Sequence, residues 1–230
     1  MKNIAIIPAR SGSKRIPTKN IKPFLGKPIM AYSIEAAKQS RLFSEIMVST
    51  DSEAIAQVAL QYGATVPFYR SEKTANDYAN LGDVVEEVLT TYNQKGLVFD
   101  NVCCILATAP FVTGNLILEA YQHMIENQFD SVFPVVKFSY PIQRALRLIN
   151  NRVEMIDPEN FPKRSQDLEP TYHDAGQFYW MRVEEFFKQK RFFSAKAGVI
   201  VLPDTEVQDI DTEEDWKLAE IKYLWLKKEL

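Results

Sequence analysis

The sequence has few of the residues that staple or seed small folds. Its 230 residues include two cysteines, the neighbours Cys103 and Cys104. Adjacent side chains on a strand point to opposite faces and pair badly as a disulfide, so both read as packing residues of a reducing compartment, the cytoplasm. Two histidines, His123 and His173, argue against a zinc centre built from His and Cys. No uncharged apolar run approaches the roughly 18 to 20 residues that span a bilayer, which excludes a membrane helix. The run Ile4 to Ile7 stops at Pro8 and Arg10, too short for the core of a secretory signal. No Gly-, Ser- or Pro-rich linker, low-complexity tract or repeat divides the chain.

With 46% hydrophobic and 25% charged residues the chain buries a real core. One domain is expected over residues 1–230. Short β-branched runs at 3–8, 45–49, 65–69, 102–107 and 131–136 read as strands. Segments at 28–40, 55–62, 84–92 and 115–128 show helical spacing between them, with Asp51 and Ser52 as capping residues of the second. Strands alternating with helices mean an α/β fold with a mostly parallel sheet. From Lys137 the rhythm changes. Residues 145–149 and 153–156 flank Asn150-Asn151-Arg152, a hairpin signal, and a polar stretch with Pro158, Pro162 and Pro170 follows. Residues 138–172 are thus expected to leave the sheet as a lid or oligomer contact. Returning strands are expected at 177–181 and 197–202. A final helix from about Thr212 carries Trp216, Ala219, Tyr223 and Leu226 along one stripe.

The net charge of −3 conceals a strong asymmetry. Residues 1–27 contain Lys2, Arg10, Lys14, Arg15, Lys19, Lys22 and Lys27 and no acid; the first carboxylate is Glu35. Four of these cations fall in the connection after the first strand, Pro8-Ala9-Arg10-Ser11-Gly12-Ser13-Lys14-Arg15-Ile16-Pro17-Thr18-Lys19-Asn20. In open α/β sheets ligands bind beyond the carboxyl ends of the strands. Ser11, Gly12 and Ser13 are small enough to let backbone N–H groups approach an anion, and the cations surround it. A polyphosphate site and a solvated basic face are the two readings. The loop matches neither G-x-x-x-x-G-K-[ST] nor G-x-G-x-x-G, so an ordinary P-loop and a dinucleotide fingerprint are both set aside.

Near the other end lies Asp209-Ile210-Asp211-Thr212-Glu213-Glu214-Asp215. If extended, this segment projects Asp209 and Asp211 from one side with Ile210 buried behind them, a pair able to share a hard cation such as Mg²⁺. Alternatively Asp211 or Thr212 caps the final helix and the acids that follow complement its dipole. Phe186, Phe187, Phe192 and Phe193 read as core or oligomer contact, and His123 as ordinary packing.

Taken together, the opening loop, Val48-Ser49-Thr50-Asp51 and Asp209-Ile210-Asp211-Thr212 resemble the cytidylyltransferases that activate nonulosonic acids, the CMP-sialic acid synthetase family. Leu106-Ala107-Thr108-Ala109-Pro110-Phe111 and the stretch from Tyr172 to Trp180 look like its pseudaminic acid branch. Members acting on sialic acid carry Leu-Gln-Pro-Thr-Ser-Pro at the first of these and Arg-Pro-Asn-Gly in place of His173-Asp174-Ala175-Gly176. The resemblance implies a Rossmann-like, three-layer α/β/α fold around the mostly parallel sheet, and transfer of CMP from CTP to pseudaminic acid with release of pyrophosphate. By position, Arg10, Ser13, Lys14 and Lys19 would hold the triphosphate, with Ser11, Gly12 and Asn20 shaping the pocket and Arg70 near the cytidine. Asp209 and Asp211 would bind Mg²⁺, and Arg10, Lys14, Lys19 and Asp211 would be catalytic. Ala107, Thr108, His173, Asp174 and Gln177 are the sugar-side candidates; His173 reads equally as a structural anchor of the strand that follows. The excursion would form a homodimer contact. CMP-legionaminate or CMP-N-acetylneuraminate synthesis, a sugar-1-phosphate nucleotidyltransferase and a non-enzymatic nucleotide-binding domain are the competing readings. The acidic net charge and the lack of interleaved exposed aromatics disfavour nucleic acid as a partner.

Overall fold

In the computed structural model, which describes residues 1–228, the alternating pattern forms a sheet between two layers of helices. The first strand, β1 (Asn3–Pro8), leads into the basic loop and a small two-stranded ribbon of β2 (Pro23–Phe24) and β3 (Lys27–Pro28). Helix α1 (Ile29–Ser40), β4 (Glu45–Ser49) and α2 (Glu53–Gln61) follow. After them come the single turn α3 (Glu72–Ala75), α4 (Leu81–Gln94), β5 (Asn101–Ile105), α5 (Gly114–Glu126) and β6 (Ser131–Lys137). The strands β7 (Leu146–Ile149) and β8 (Arg152–Met155) form a separate hairpin. The chain then rejoins the sheet through β9 (Tyr172–Asp174) and β10 (Phe178–Arg182), and continues as α6 (Val183–Gln189), β11 (Ala197–Leu202) and α7 (Glu213–Lys227).

The strand order is β11-β6-β10-β5-β1-β4, with β9 also paired to β6. Strand β1 is parallel to β4 and β5, and β11 to β6, whereas β10 runs antiparallel between β5 and β6. Strand periodicity decides which layer each side chain enters. Ala5, Ile7 and Cys103 face α1, α2 and α5, while Ile4, Ile6 and Cys104 face α4 and α6, all fully buried. The two cysteines are free thiols on opposite faces of β5.

Three local expectations need correction. Residues 65–69 form no strand; Thr65 makes one parallel bridge to Met47, and Pro67, at the next pairing position, has no N–H to continue the ladder along β4. Asp51 does not cap α2, because its carboxylate accepts from both the N–H and the hydroxyl of Ser11, 2.8 and 2.7 Å away. The excursion ends at residue 171, since Tyr172, His173 and Asp174 pair with Lys137, Val136 and Val135 of β6. The hairpin turn is as expected: Asn150 and Asn151 both take positive φ, 48° and 61°, as a two-residue turn of this hand requires. Among the described residues no helix is long and apolar enough to cross a membrane.

Candidate active site

Strands β1, β4 and β5 are parallel, so their carboxyl ends open on one side of the sheet, where a ligand can reach backbone and loops together. A cleft of about 560 Å³ lies there. Its lining includes Arg10, Ser13, Lys14, Lys19 and Asn20 from the loop after β1, and Ala107 and Thr108 from the end of β5. Arg70 lies in the same wall. Arg70 is buried, with its guanidinium donating to the carbonyl and hydroxyl of Ser49 at 2.7 and 3.2 Å. Burial pulls its pKa down, and Asp51 and Glu87 oppose that pull. The loop is cross-braced: Asn20 Nδ2 donates to the Arg10 carbonyl at 2.8 Å, and Ser11 is pinned to Asp51. Burial would raise the Asp51 carboxyl, but the two bonds from Ser11 outweigh it and hold the group below its usual range.

Apolar packing joins the two ends of the chain. Ile16, in the middle of the cationic loop, and Ile210, between the two aspartates, are both fully buried in one cluster with Phe24, Ile29, Tyr32 and Trp216. Transfer of two such side chains out of water contributes about 3 to 6 kcal/mol, so the polar groups beside them are held near each other whatever their own pair energies. Helix α7 begins just beyond, capped by Thr212, whose hydroxyl accepts from Asp215 N–H while the Asp215 carboxylate accepts from Thr212 N–H. With Thr212 as the cap, Asp209 and Asp211 are left for other work.

Lys19 Nζ donates to the Ile210 carbonyl at 2.7 Å and lies 3.5 Å from Asp211 Oδ1, to which Arg15 also donates at 2.8 Å. The cations of the beginning and the carboxylates of the end therefore meet at one rim. Asp209 remains open to solvent yet is crowded by protein atoms; that desolvation first, and the charge of Asp211 second, raise its pKa, with Lys19 opposing them. Among the described residues no three His, Cys, Asp or Glu side chains converge into a ready-made metal cage. Two neighbouring carboxylates that repel each other nonetheless suit a hard divalent cation whose remaining ligands are water and substrate oxygens.

The sugar-side candidates are less concentrated. Ala107 and Thr108 line the cleft, but His173, Asp174 and Gln177 do not. The exposed His173 packs its ring against Phe138 and has Nδ1 2.9 Å from the Asp174 carbonyl, the structural alternative. Asp174 accepts from Tyr179 OH at 2.5 Å and from Gly176 N–H at 2.9 Å. Gln177 donates through Nε2 to the Glu206 carbonyl at 2.9 Å, leaving a buried Oε1 with no partner among the described residues. Between β9 and β10 the chain breaks step at Gly176, whose φ of +61° favours glycine and where a Cβ would come within 3.7 Å of the Asp209 carboxyl carbon. Ser11 and Gly12 are exposed at the loop's outer side, and Gly12 has open space around it. The sequence reading omitted Asp77, which bridges Arg10 and Lys14 at 2.7 and 2.5 Å. It also gave Arg15 no role at Asp211. Both pairings join side chains at least 60 residues apart, which no local pattern reveals.

The profile of the cytidylyltransferase family matches residues 4–214. The chain belongs to that family. This cytidylyltransferase is 46% identical to a pseudaminic acid cytidylyltransferase of Campylobacter jejuni over 97% of both chains. It is 38% identical to a CMP-N,N'-diacetyllegionaminic acid synthase of Legionella pneumophila, over 96% of this chain and 95% of that one. In fold it is similar to a CMP:2-keto-3-deoxy-manno-octonic acid synthetase solved with CTP, at a TM-score of 0.70 and 18% identity over 99% of this chain and all of the other.

Proposed function

We infer that this cytidylyltransferase activates a nonulosonic acid with CTP, and that pseudaminic acid is the sugar. The observation that carries the reading is the meeting of Lys19 and Arg15 with Asp211 at the mouth of a cleft lined by Arg10, Lys14 and Arg70. The 46% identity to the pseudaminic acid enzyme of Campylobacter jejuni supports the choice of sugar over the legionaminate alternative at 38%.

The sugar's anomeric hydroxyl attacks the α-phosphorus of CTP. A new O–P bond forms, the bond from that phosphorus to the β-phosphate bridge breaks, and pyrophosphate leaves as the hydroxyl loses its proton. The work of the protein is positioning and charge neutralisation. Arg10, Ser13, Lys14 and Lys19 take the triphosphate, with Ser11, Gly12 and Asn20 shaping the loop and Arg70 beneath the nucleotide. Lys19, fixed by the Ile210 carbonyl and least exposed of the loop lysines in ion pairs, is placed to meet charge growing on the leaving group. Asp209 and Asp211 would hold Mg²⁺, which neutralises phosphate charge and polarises the phosphoryl group when bound. Ala107 and Thr108 face the acceptor, whereas Gln177, buried and outside the cleft lining, supports the wall behind them through its bond to the Glu206 carbonyl. Asp174 acts by orienting Tyr179 and the Gly176 turn rather than by touching sugar, and His173 keeps a structural role.

The excursion is proposed as a homodimer contact within one domain spanning residues 1–230. Its hairpin presents Leu148 and Val153 at 70% and 65% exposure, with Phe161 at 70% close by in sequence. An isolated two-stranded hairpin with such a surface is marginal in water by itself and gains from a second copy. Purified protein assayed for pyrophosphate release from CTP with pseudaminate, legionaminate and sialate in parallel, with and without Mg²⁺, tests the assignment. Fastest turnover with pseudaminate and dependence on Mg²⁺ are expected; release with no nonulosonic acid preferred would overturn it.

A further inference from the structure

The cations assigned to the triphosphate already hold an anion. Arg10 Nη1 donates to Asp77 Oδ1 at 2.7 Å, and Lys14 Nζ donates to Asp77 Oδ2 at 2.5 Å. One carboxylate thus gives both oxygens to two cations of one loop, as a pair of phosphate oxygens would. Asp77 belongs to the five-residue segment 76–80 between α3 and α4, remote in sequence from that loop. Local bonds hold the shape of this segment: Asn76 Oδ1 accepts from the N–H groups of Tyr78 and Ala79, and Asn80 caps α4. At its tip Tyr78 is 95% exposed and adds no packing. Ala79 and Asn80 of this segment, with Leu81 at the start of α4, line the same cleft as the two cations.

We propose that Asp77 is an internal competitor for the polyphosphate: it occupies Arg10 and Lys14 in the free chain and is displaced when nucleotide binds. This rests on the assignment of the basic loop to the triphosphate. The side chains of Arg10, Lys14 and Asp77 are 35%, 79% and 42% exposed, so each pair is weak enough for a multiply charged phosphate to break. Once phosphate is seated, the carboxylate is repelled and segment 76–80 must give way. A ligand with one phosphate gains less from the same cations than a triphosphate does, so the competitor favours polyphosphates over monophosphate.

Calorimetric titration of the purified chain with inorganic pyrophosphate and with CTP tests this in wild type, Asp77→Asn and Glu72→Gln. Glu72, on α3, forms no ion pair with Arg10 or Lys14, so its variant controls for the loss of one charge from the neighbourhood. Asp77→Asn should tighten both ligands about 3- to 10-fold, and Glu72→Gln less than about 2-fold. Unchanged affinity in Asp77→Asn, or equal tightening in Glu72→Gln, overturns the proposal. So does weaker affinity, which would make Asp77 a group that positions the two cations. Pyrophosphate binding without tightening defeats the competitor alone; failure to bind wild type and Asp77→Asn alike defeats the loop's assignment as well.

Discussion

The two sides of the cleft are built by different means. On the side proposed for the polyphosphate the groups come from one loop after β1 and one segment before α7, and a common apolar cluster containing Ile16 and Ile210 holds them together. Most of their charges are half-exposed and paired with acids that a ligand can replace. On the side proposed for the sugar, Ala107 and Thr108 line the cleft, while His173, Asp174 and Gln177 stand outside its lining at the junction of β9 and β10, their polar atoms bonded within the protein. A side made of replaceable ion pairs suits a ligand rich in charge. A side made of internal hydrogen bonds selects by shape, and needs few groups of its own.

This contrast can be broken or sharpened by substitution. The largest effect is expected from Lys19→Ala: loss of about 2 to 4 kcal/mol of transition-state stabilisation, roughly 30- to 1000-fold in kcat, read by pyrophosphate release. A change confined to the sugar's KM would move Lys19 to the other side. Ile210→Ala comes next, costing about 2 to 4 kcal/mol of folding stability by denaturant titration, because a fully buried side chain is removed from the cluster that joins loop and aspartates. A cost under about 1 kcal/mol would show that ion pairs and not packing join them.

Asp209→Asn has a smaller effect, and its sign depends on pH. Its carboxyl pKa is raised in the folded chain, so the protonated form stabilises folding below the ordinary carboxylate range, and that contribution is lost as pH rises through the folded value. At neutral pH the ionised group is a slight liability. The asparagine variant should therefore have a higher Tm than wild type at pH 7, and the gain should vanish in acid; a lower Tm at pH 7 would contradict the raised pKa. Least of all, His173→Ala should change the sugar's KM by under about 3-fold, since the side chain is exposed and its bond is to its own neighbour. A tenfold rise would return His173 to the sugar.

Much of this arrangement was legible before any coordinates. Period-two and period-3.6 patterns gave β1, β4, β5, β6 and the helices around them, because those segments are buried on both faces or along one stripe. Thr212 stood with Asp211 as a candidate cap of α7, and the paired asparagines announced the β7–β8 turn. Residues 65–69 misled because apolar residues bordering a sheet need not pair within it. Strand β9 was missed because three residues with exposed Tyr172 and His173 carry no periodic signal. In the site, Arg10, Lys14 and Lys19 were marked by charge beside a strand end and Arg70 by the family resemblance, and the structure gathers them in one cleft. Asp77 was invisible because its meaning is tertiary: a single acid in a polar turn reads as solvated surface until the fold sets it against two cations.

The central claim is that the cationic loop and the Asp209–Asp211 pair form one site for CTP and a divalent cation. Calorimetric titration of CTP into wild type and the double variant Asp209→Asn, Asp211→Asn, each with and without Mg²⁺, addresses it most directly. Mg²⁺ should tighten CTP binding in wild type. In the double variant that tightening should disappear, while metal-free affinity is kept or improved because Arg15 and Lys19 are released from Asp211. Tightening of equal size in both proteins would contradict the account.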